Sequence, residues 1–416
     1  MSRPVLRNRN FLLLWSGNTL SLVGFHGVRI AYPLLALSVT GSVALAGWVG
    51  FLISLPALIF QIPAGVAADR WDRRLVLIGC QTMGLLATCL AGLVVVLELP
   101  NPGLLLGISA FVEGAAYVVF GLSELALIRD VVAVEQRPAA YSFFEAEQPI
   151  ALVVGRATGA AAFGLARWLP FVANATSYLF CLATLFSIRA LPVEHHPSSN
   201  ADERRESLGA GIRTLWAEPF LRSSTLISGA SNVVIQVVIL LIIVEIESSG
   251  RPVWVAGTVL GAAGVGGIAG SFGAAWLTAR FSAQRVYRWA LWAWTVFVAA
   301  IALSSSMLIV GAAWFGVGAI GTVVNVALTL FRVDAMPETV LGRVVGMVSV
   351  VTDGAVALGA IVAGYLLEAF GTTVTGWLLI GGMLALAVTG SSTGRSPNRL
   401  ERGQRLAPVA EARRIR

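Results

Sequence analysis

Ionisable side chains inside long apolar stretches are the residues of this sequence that could do chemistry. His26 and Arg29 lie three residues apart, a spacing that places them on one face of a helix. Glu113, Arg156 and Asp353 each stand alone among apolar neighbours. A charge at the centre of a bilayer costs about 2.5–3.5 kcal/mol or more, so such a residue is a functional candidate by default.

Two kinds of chemistry are open to these groups. An apolar environment favours the neutral form of a carboxyl group, which suits a buried acid to carrying a proton. Glu113 is the first candidate for a protonation switch, and Asp353 is the second. The alternative for Glu113 is a static ion pair between helices, with Arg29 or Arg156 as its partner.

These residues are positioned by a series of apolar segments that fills most of the chain. Hydrophobic residues make up 57% of the sequence, charged residues 12%, and the mean hydropathy is +0.81. Apolar stretches of about 18 residues or more are typical of membrane-spanning helices. The sequence predicts an all-α membrane protein with twelve transmembrane helices, at about 11–36, 43–66, 75–98, 104–126, 141–165, 168–190, 221–245, 253–278, 287–308, 310–333, 344–367 and 372–392.

One long polar segment divides this series after six spans. We predict an N-terminal six-helix bundle over 1–190, a cytoplasmic linker over 191–220, a C-terminal six-helix bundle over 221–392 and a basic cytoplasmic tail over 393–416. Two repeated bundles of this kind are typical of transporters whose path runs between the repeats.

The basic residues indicate the orientation of the chain. All 29 of them are arginine. They cluster before span 1, after the even-numbered spans and in the tail, whereas the alternate loops hold Arg167 and Arg251 alone. Cytoplasmic loops carry such an excess of basic residues. We therefore expect a multi-pass protein of the plasma (inner) membrane with both termini in the cytoplasm.

The sequence does not contain the residues that several classes of function require. Without lysine there is no G-x-x-x-x-G-K-S/T phosphate loop. The net charge of +7 is explained by topology and by attraction to anionic lipid, so no nucleic-acid partner is expected. Cys80, Cys89 and Cys181 lie in apolar spans without metal-ligand spacing. We expect no cofactor, no metal and no enzymatic activity.

A charged motif follows the second span. It reads Pro63-Ala-Gly65-Val-Ala-Ala-Asp69-Arg70-Trp71-Asp72-Arg73-Arg74. An acid at a helix end with several arginines beside it forms a charge cluster at the membrane surface. Such a cluster can form in one conformation and break in another. Glu124 and Asp130, near the end of span 4, are the acids with which these arginines could pair.

This motif resembles the loop 2–3 signature of the major facilitator superfamily, G-x-x-x-D-R-x-G-R-R. Asp72 stands where the family most often has glycine, and the variant D-R-x-D-R-R is similar to members like the enterobactin exporter and other efflux proteins. With the twelve spans and the linker, the resemblance covers about residues 5–390. It implies a gating latch that holds two bundles in the outward-facing state, formed by Gly65, Asp69, Arg70, Arg73, Arg74 and Asp130.

The resemblance also implies which spans line a central cavity, namely 1, 4, 7 and 10. Together with Glu113, the cavity candidates are His26, Arg29, Asn232, Gln236 and Asn325, with Arg156 of span 5 as a further one. Two other family patterns differ here. Ala110 replaces the arginine of R-x-x-x-G in span 4, and Arg156 replaces the proline of G-P-x-x-G in span 5.

The function that follows is secondary active transport by alternating access. We expect proton-coupled export of a hydrophobic or amphipathic small molecule, such as a drug, a siderophore or a secondary metabolite. The expected partners are this substrate, protons and membrane lipid, and the expected state is a monomer. Uptake or uniport on the same fold remains an alternative because the span 5 pattern is altered. A non-transporting membrane sensor is the alternative from another class.

Overall fold

The computed structural model describes residues 5–60, 63, 71–188, 213, 215–252, 254–336 and 338–393. This part of the chain contains helices and no β-strand. The longer helices are α1 (Arg9–Thr40), α2 (Val43–Ser54), α3 (Arg73–Val96), α4 (Pro102–Val131), α5 (Arg137–Leu165), α6 (Leu169–Ser187), α7 (Pro219–Ser248), α8 (Trp254–Arg280), α9 (Ala283–Leu303), α10 (Met307–Ala335) and α11 (Glu338–Thr393).

The helices account for twelve membrane crossings. Ten of the described helical segments are long and apolar enough to span a bilayer, and α5 adds a shorter apolar segment, Ile150–Leu165. The second of the ten is Val43–Phe60, because helix resumes after a turn at Leu55 that ends α2. The last helix makes two crossings because its backbone leaves helical geometry at Gly371, where φ is 69°. Glycine adopts this left-handed φ without steric cost. We call residues 338–370 and 372–393 the first and second arms of α11. The predicted all-α fold with twelve transmembrane helices is confirmed.

Short polar side chains set several helix boundaries. Asn8 accepts hydrogen bonds from the backbone N–H groups of Asn10 and Phe11 at the start of α1. The predicted ninth span extended to residue 308, but α9 ends at Leu303 because serines occupy positions 304–306. Serine hydroxyls compete for backbone hydrogen bonds and favour helix ends over interiors.

Asp72 begins α3 in the same way. Its carboxylate accepts hydrogen bonds from the backbone N–H groups of Arg74 and Leu75, at 2.9 and 3.2 Å. The acid that departs from the family signature is therefore the N-cap of the third span. It satisfies two backbone donors that the first turn of a helix leaves without partners.

The helices of the second half pack in the same pairs as those of the first half, six positions later in the order of membrane crossings. In the first half α1 packs on α5, α2 on α4, and α3 on both α4 and α6. In the second half α7 packs on α11, α8 on α10, and α9 on both α10 and α11. Contacts of Gly359 with Val233 and of Gly376 with Ala302 show that α7 meets the first arm of α11 and α9 the second.

The two halves meet through two equivalent helix pairs, α2 with α11 and α5 with α8. Glycines allow the backbones to approach, as helix pairs in membranes commonly require. A Cβ on Gly47 would lie 2.6 Å from the carbonyl oxygen of Ala360, and one on Gly257 would lie 2.3 Å from the Cβ of Ala160. These approaches leave no space for a larger side chain.

The two halves also form hydrogen bonds with each other at one end of the molecule. The carboxylate of Glu368 accepts hydrogen bonds from the Ala44 N–H at 2.6 Å and from the Ser42 hydroxyl at 3.4 Å. The Trp48 indole donates to the Tyr365 hydroxyl at 3.1 Å. We call this the connecting end, since the connections 41–42, 166–168 and 249–252 and Gly371 lie there. The opposite end, where α1 and α3 begin, is the terminal end.

Replacing Asp72 by alanine removes the N-cap of α3. We expect a loss of about 1 kcal/mol in the stability of this helix end. Hydrogen–deuterium exchange at the amides of Arg74 and Leu75 should become faster. Asp72→Asn is the matched control, because its side-chain oxygen can still accept both bonds. Equal exchange rates in Asp72→Ala and the wild type would contradict this assignment.

Replacing Gly47 by alanine should separate the halves at the connecting end, because its Cβ would press on the backbone of Ala360. Spin labels at positions 39 and 370, in a variant without native cysteines, should show a longer and broader distance distribution. Gly79→Ala is the control, since a Cβ there meets no atom within 4 Å. An unchanged distribution in Gly47→Ala would show that this contact does not hold the end closed.

Candidate functional site

Glu113 of α4 is fully buried within the first half, at 0% exposure. One carboxylate oxygen accepts a hydrogen bond from the Tyr32 hydroxyl at 2.7 Å. The other accepts from the Tyr178 hydroxyl at 2.9 Å and from the side-chain amide of Asn174. The same amide also donates to Thr88 at 3.2 Å. Helices α1, α3, α4 and α6 are thus joined around one carboxyl group.

This arrangement differs from both sequence interpretations of Glu113. It lines neither of the two cavities described below, and its partners are uncharged donors in place of Arg29 or Arg156. The reason is that α4 is apolar on all sides. In such a helix the sequence pattern does not show which face points toward neighbouring helices and which toward a cavity.

A cavity of about 310 Å³ lies mainly within the first half, on the terminal side of Glu113. Phe25 and Tyr117, whose rings stack at a centroid distance of 4.1 Å, form part of its apolar wall. Three carboxyl groups line it, those of Glu124, Glu147 and Asp353. We call it the carboxylate cavity. Asp353 comes from the first arm of α11, so both halves contribute to the lining.

Glu124 and Glu147 are buried acids without a basic partner in the described part of the chain. Glu147 is 3% exposed and accepts hydrogen bonds from Thr19 at 2.7 Å and from Asn18. Glu124 is 4% exposed, and one of its carboxyl oxygens has no hydrogen-bond partner. A buried polar group without a partner is rare in folded proteins and requires an explanation.

Sequence reasoning did not select these two acids as a proton site. Glu124 was considered only as a partner for the loop arginines. The sequence does contain a signal for Glu124. It follows Glu113 by eleven positions, which is close to three helical turns. The spacing places both acids on one face of α4. Tyr178, which bonds to Glu113, also lines the carboxylate cavity and so lies between the two.

A second, smaller cavity of about 80 Å³ lies between the halves. Arg29 and Arg156 line it, together with Ser54 and Gln236. The Arg29 guanidinium donates to the Ser54 hydroxyl at 3.4 Å, and Arg156 lies within electrostatic range of Arg29. We call it the arginine pocket. Three of the cavity candidates, Arg29, Arg156 and Gln236, are therefore brought together.

The other cavity candidates lie elsewhere. His26 is buried at 5% exposure and packs edge-on against the rings of Phe25 and Tyr117. Asn232 donates to the backbone carbonyl of Thr352 at 3.2 Å, which joins α7 to α11. Asn325 is exposed on α10 and lines neither cavity.

The residues of the gating latch are only partly described. Gly65, Asp69 and Arg70 lie outside the described residues. Arg73 forms an ion pair with Asp130 at 2.7 Å. The Arg74 guanidinium donates to the backbone carbonyls of residues 185 and 186, both at 2.9 Å. These contacts join α3 to α4 and α6, so they stabilise the terminal end of the first half and do not themselves connect the halves.

Twelve membrane-spanning helices with polar groups enclosed between them define a multi-pass helical membrane protein. A family model described as the Major Facilitator Superfamily matches residues 14–284. This is more than half of the sequence, and the chain belongs to the major facilitator superfamily, a family of membrane transporters.

Solved structures share this fold. The nucleoside transporter NupG matches with a TM-score of 0.76 at 14% identity, over 93% of this chain and 99% of that one. A bacterial homologue of the iron transporter ferroportin, in an inward-facing state, matches with a TM-score of 0.73 at 16% identity, over 95% and 100%. A bacterial homologue of the lysosomal transporter Spinster matches with 0.68 at 16% identity, over 94% and 95%. No curated protein matches the chain.

Glu113→Gln should destabilise the first half. Glutamine turns one of the two acceptor oxygens into an amide N–H group, so the hydroxyl or amide hydrogens bonded to that oxygen lose their acceptor. Leaving a buried group without its hydrogen bond costs about 1–3 kcal/mol. We expect a lower unfolding temperature in detergent, and a smaller decrease for Tyr32→Phe, which removes one donor. An unfolding temperature equal to that of the wild type would mean that these bonds do not stabilise the bundle.

Proposed function

We propose that this protein is a secondary active transporter that exports a hydrophobic or amphipathic small molecule in exchange for protons. Family and fold support membrane transport as the activity. The finer assignment is supported by one observation above all. Two buried carboxyl groups, those of Glu124 and Glu147, share a cavity with aromatic side chains and lack a basic partner among the described residues.

A carboxyl group in this setting is suited to binding and releasing a proton. In an apolar site the charged form is unfavourable, so the group changes its charge when its exposure to water changes. Glu124 and Glu147 also lie within electrostatic range of each other, which disfavours two negative charges at once. We assign proton coupling to this pair, with Asp353 as a third member, and a structural role to Glu113.

The proposed topology gives the orientation of the protein in the membrane, and the loop motif favours a direction of transport. We place the terminal end in the cytoplasm, because arginine is concentrated there in the sequence. The halves are joined at the connecting end by Glu368 and by the helix pairs α2–α11 and α5–α8. The structure then corresponds to an inward-facing state of a protein in the plasma membrane. The resemblance of the loop motif to efflux proteins favours export.

The latch would act in the opposite state. We propose that Arg73 and Asp130 hold the terminal ends of α3 and α4 in position, so that the loop with Gly65, Asp69 and Arg70 can meet the second half when the terminal end closes. Uptake or uniport is the second candidate. It is favoured by the replacement of the span 5 proline by Arg156. In that case a pH gradient of the direction that drives antiport would not drive transport.

The experiment is dye flux in inverted vesicles with and without an imposed pH gradient. Suitable probes are ethidium, carboxyfluorescein and N-phenylnaphthylamine, which differ in charge. Export by proton exchange requires that at least one dye accumulates only when the vesicle interior is acidic. Dye uptake that is the same with and without the pH gradient would favour uniport. No accumulation of any dye, together with no effect of the protein on the pH gradient, would contradict the proposal.

Glu124→Gln and Glu147→Gln should separate coupling from substrate movement. We expect each to reduce gradient-driven accumulation at least tenfold, because an amide does not exchange a proton in this range of pH. Exchange of labelled for unlabelled substrate without a gradient should continue. Glu135→Gln, an exposed acid in the connection between α4 and α5, is the control. If both variants still accumulate substrate like the wild type, the coupling site is elsewhere.

A further inference from the structure

We propose that the arginine pocket binds an anionic group, and that the transported molecule is an amphipathic anion such as a carboxylate, a phosphate ester or a sulfonate. The identification of the occupant as a substrate rests on the proposed transport function. The presence of an anion site does not, because it follows from charge and geometry alone.

The arginine pocket holds an excess of positive charge inside the membrane. Arg29 and Arg156 both line it, and they lie within electrostatic range of each other. The Ser54 hydroxyl at 3.4 Å is the hydrogen-bond partner of Arg29, and Arg156 has none in the described part of the chain. Two like charges repel strongly in a medium of low dielectric constant.

The described part of the protein supplies little negative charge to compensate these two arginines. Asp353 is the acid that lies within electrostatic range of Arg29. It is not within the 4.0 Å of an ion pair, since the ion pair formed by the described residues is that of Arg73 with Asp130. One distant carboxylate cannot balance two guanidinium groups. Unpaired charges in a membrane interior are unfavourable, so a ligand of opposite charge would be bound there.

The lining of the arginine pocket has the chemistry of an anion site. A guanidinium presents several N–H donors in one plane, which suits the two oxygens of a carboxylate or phosphate. The side-chain amide of Gln236 adds a donor of the kind that completes such a site. The rest of the lining is apolar, with Ile30, Ile53 and Ile239 among its residues, so the anion would be shielded from water.

The volume of the arginine pocket limits what it can hold. A pocket of about 80 Å³ holds a headgroup and not a whole drug-sized molecule. The remainder of the ligand needs apolar space nearby. Asp353 and Tyr117 line the carboxylate cavity and also lie within electrostatic range of Arg29, so the two cavities are neighbours. An amphipathic anion could therefore place its headgroup between the arginines and its tail along Phe25 and Tyr117.

The position of the arginine pocket between the halves connects binding with motion. The pocket is lined by α1, α2 and α5 of the first half and by α7 and α8 of the second. A ligand that bridges these helices contacts both halves at once. A change in the angle between the halves would alter its contacts, which is what coupling of binding to a conformational change requires.

The test compares three ligands with the same tail: octanoate, octylammonium and octanol. Binding to the purified full-length protein in phosphatidylcholine nanodiscs is measured by calorimetry at one pH. We expect octanoate to bind at least tenfold more tightly than either of the others. Equal affinities for octanoate and octanol would overturn the anion site, and this comparison needs no variant.

Variants then locate the site. Arg29→Gln and Arg156→Gln should each lose the preference for octanoate, whereas Arg156→Lys, which keeps the charge, should lose less. Arg167→Gln at the connecting end is the matched control, because this exposed arginine lies outside the pocket. Unfolding temperatures show whether each variant is folded. A folded Arg156→Gln protein that keeps the full preference would overturn the assignment.

A last comparison identifies the source of the anion. The titration is repeated in nanodiscs that contain phosphatidylglycerol. If this lipid abolishes octanoate binding, the pocket holds a lipid headgroup and the assignment of a transported anion is overturned. If octanoate binds but is not transported in vesicles under any gradient, the transport proposal fails while the anion site stands.

Discussion

The absence of water from the bilayer interior is the constraint on which the rest of this structure depends. Each charged or polar group there needs a partner within the protein or access to a cavity. Glu113 meets this requirement with three neutral donors from α1 and α6, and the bond of Asn174 to Thr88 adds α3, so four helices are joined. Glu124 does not meet it fully. The difference separates an acid that holds the first half together from an acid that is available for exchange.

The two halves combine rigid packing with a contact that can be released. Within each half, the same helix pairs pack with an offset of six. Between the halves, Gly47 and Gly257 allow backbone contact, and the bonds of Glu368 to α2 lie at the surface. Close van der Waals packing without side-chain interlocking permits one half to rock against the other, which is the motion proposed for alternating access.

Much of the fold could be predicted from the sequence, and less of the site. Long apolar segments show where the spans lie, and the three serines that end α9 were the kind of local detail that hydropathy overlooks. The site required knowledge of which helix faces which. Apolar helices carry little facing information, so Glu113 was expected on a cavity that it does not line. The proximity of Arg29 to Arg156 joins residues 127 positions apart and depends on the packing of α1 against α5.

The central claim is that the acids of the carboxylate cavity exchange protons while Glu113 does not. Infrared difference spectroscopy of the protein in lipid, recorded between acidic and alkaline pH, measures this directly through the C=O stretching band of protonated carboxyl groups. We predict that part of this band arises from carboxyl groups in the membrane interior. That part should be absent from a protein in which both Glu124 and Glu147 are replaced by glutamine. A spectrum in which that part of the band is unchanged by the double substitution would contradict the claim.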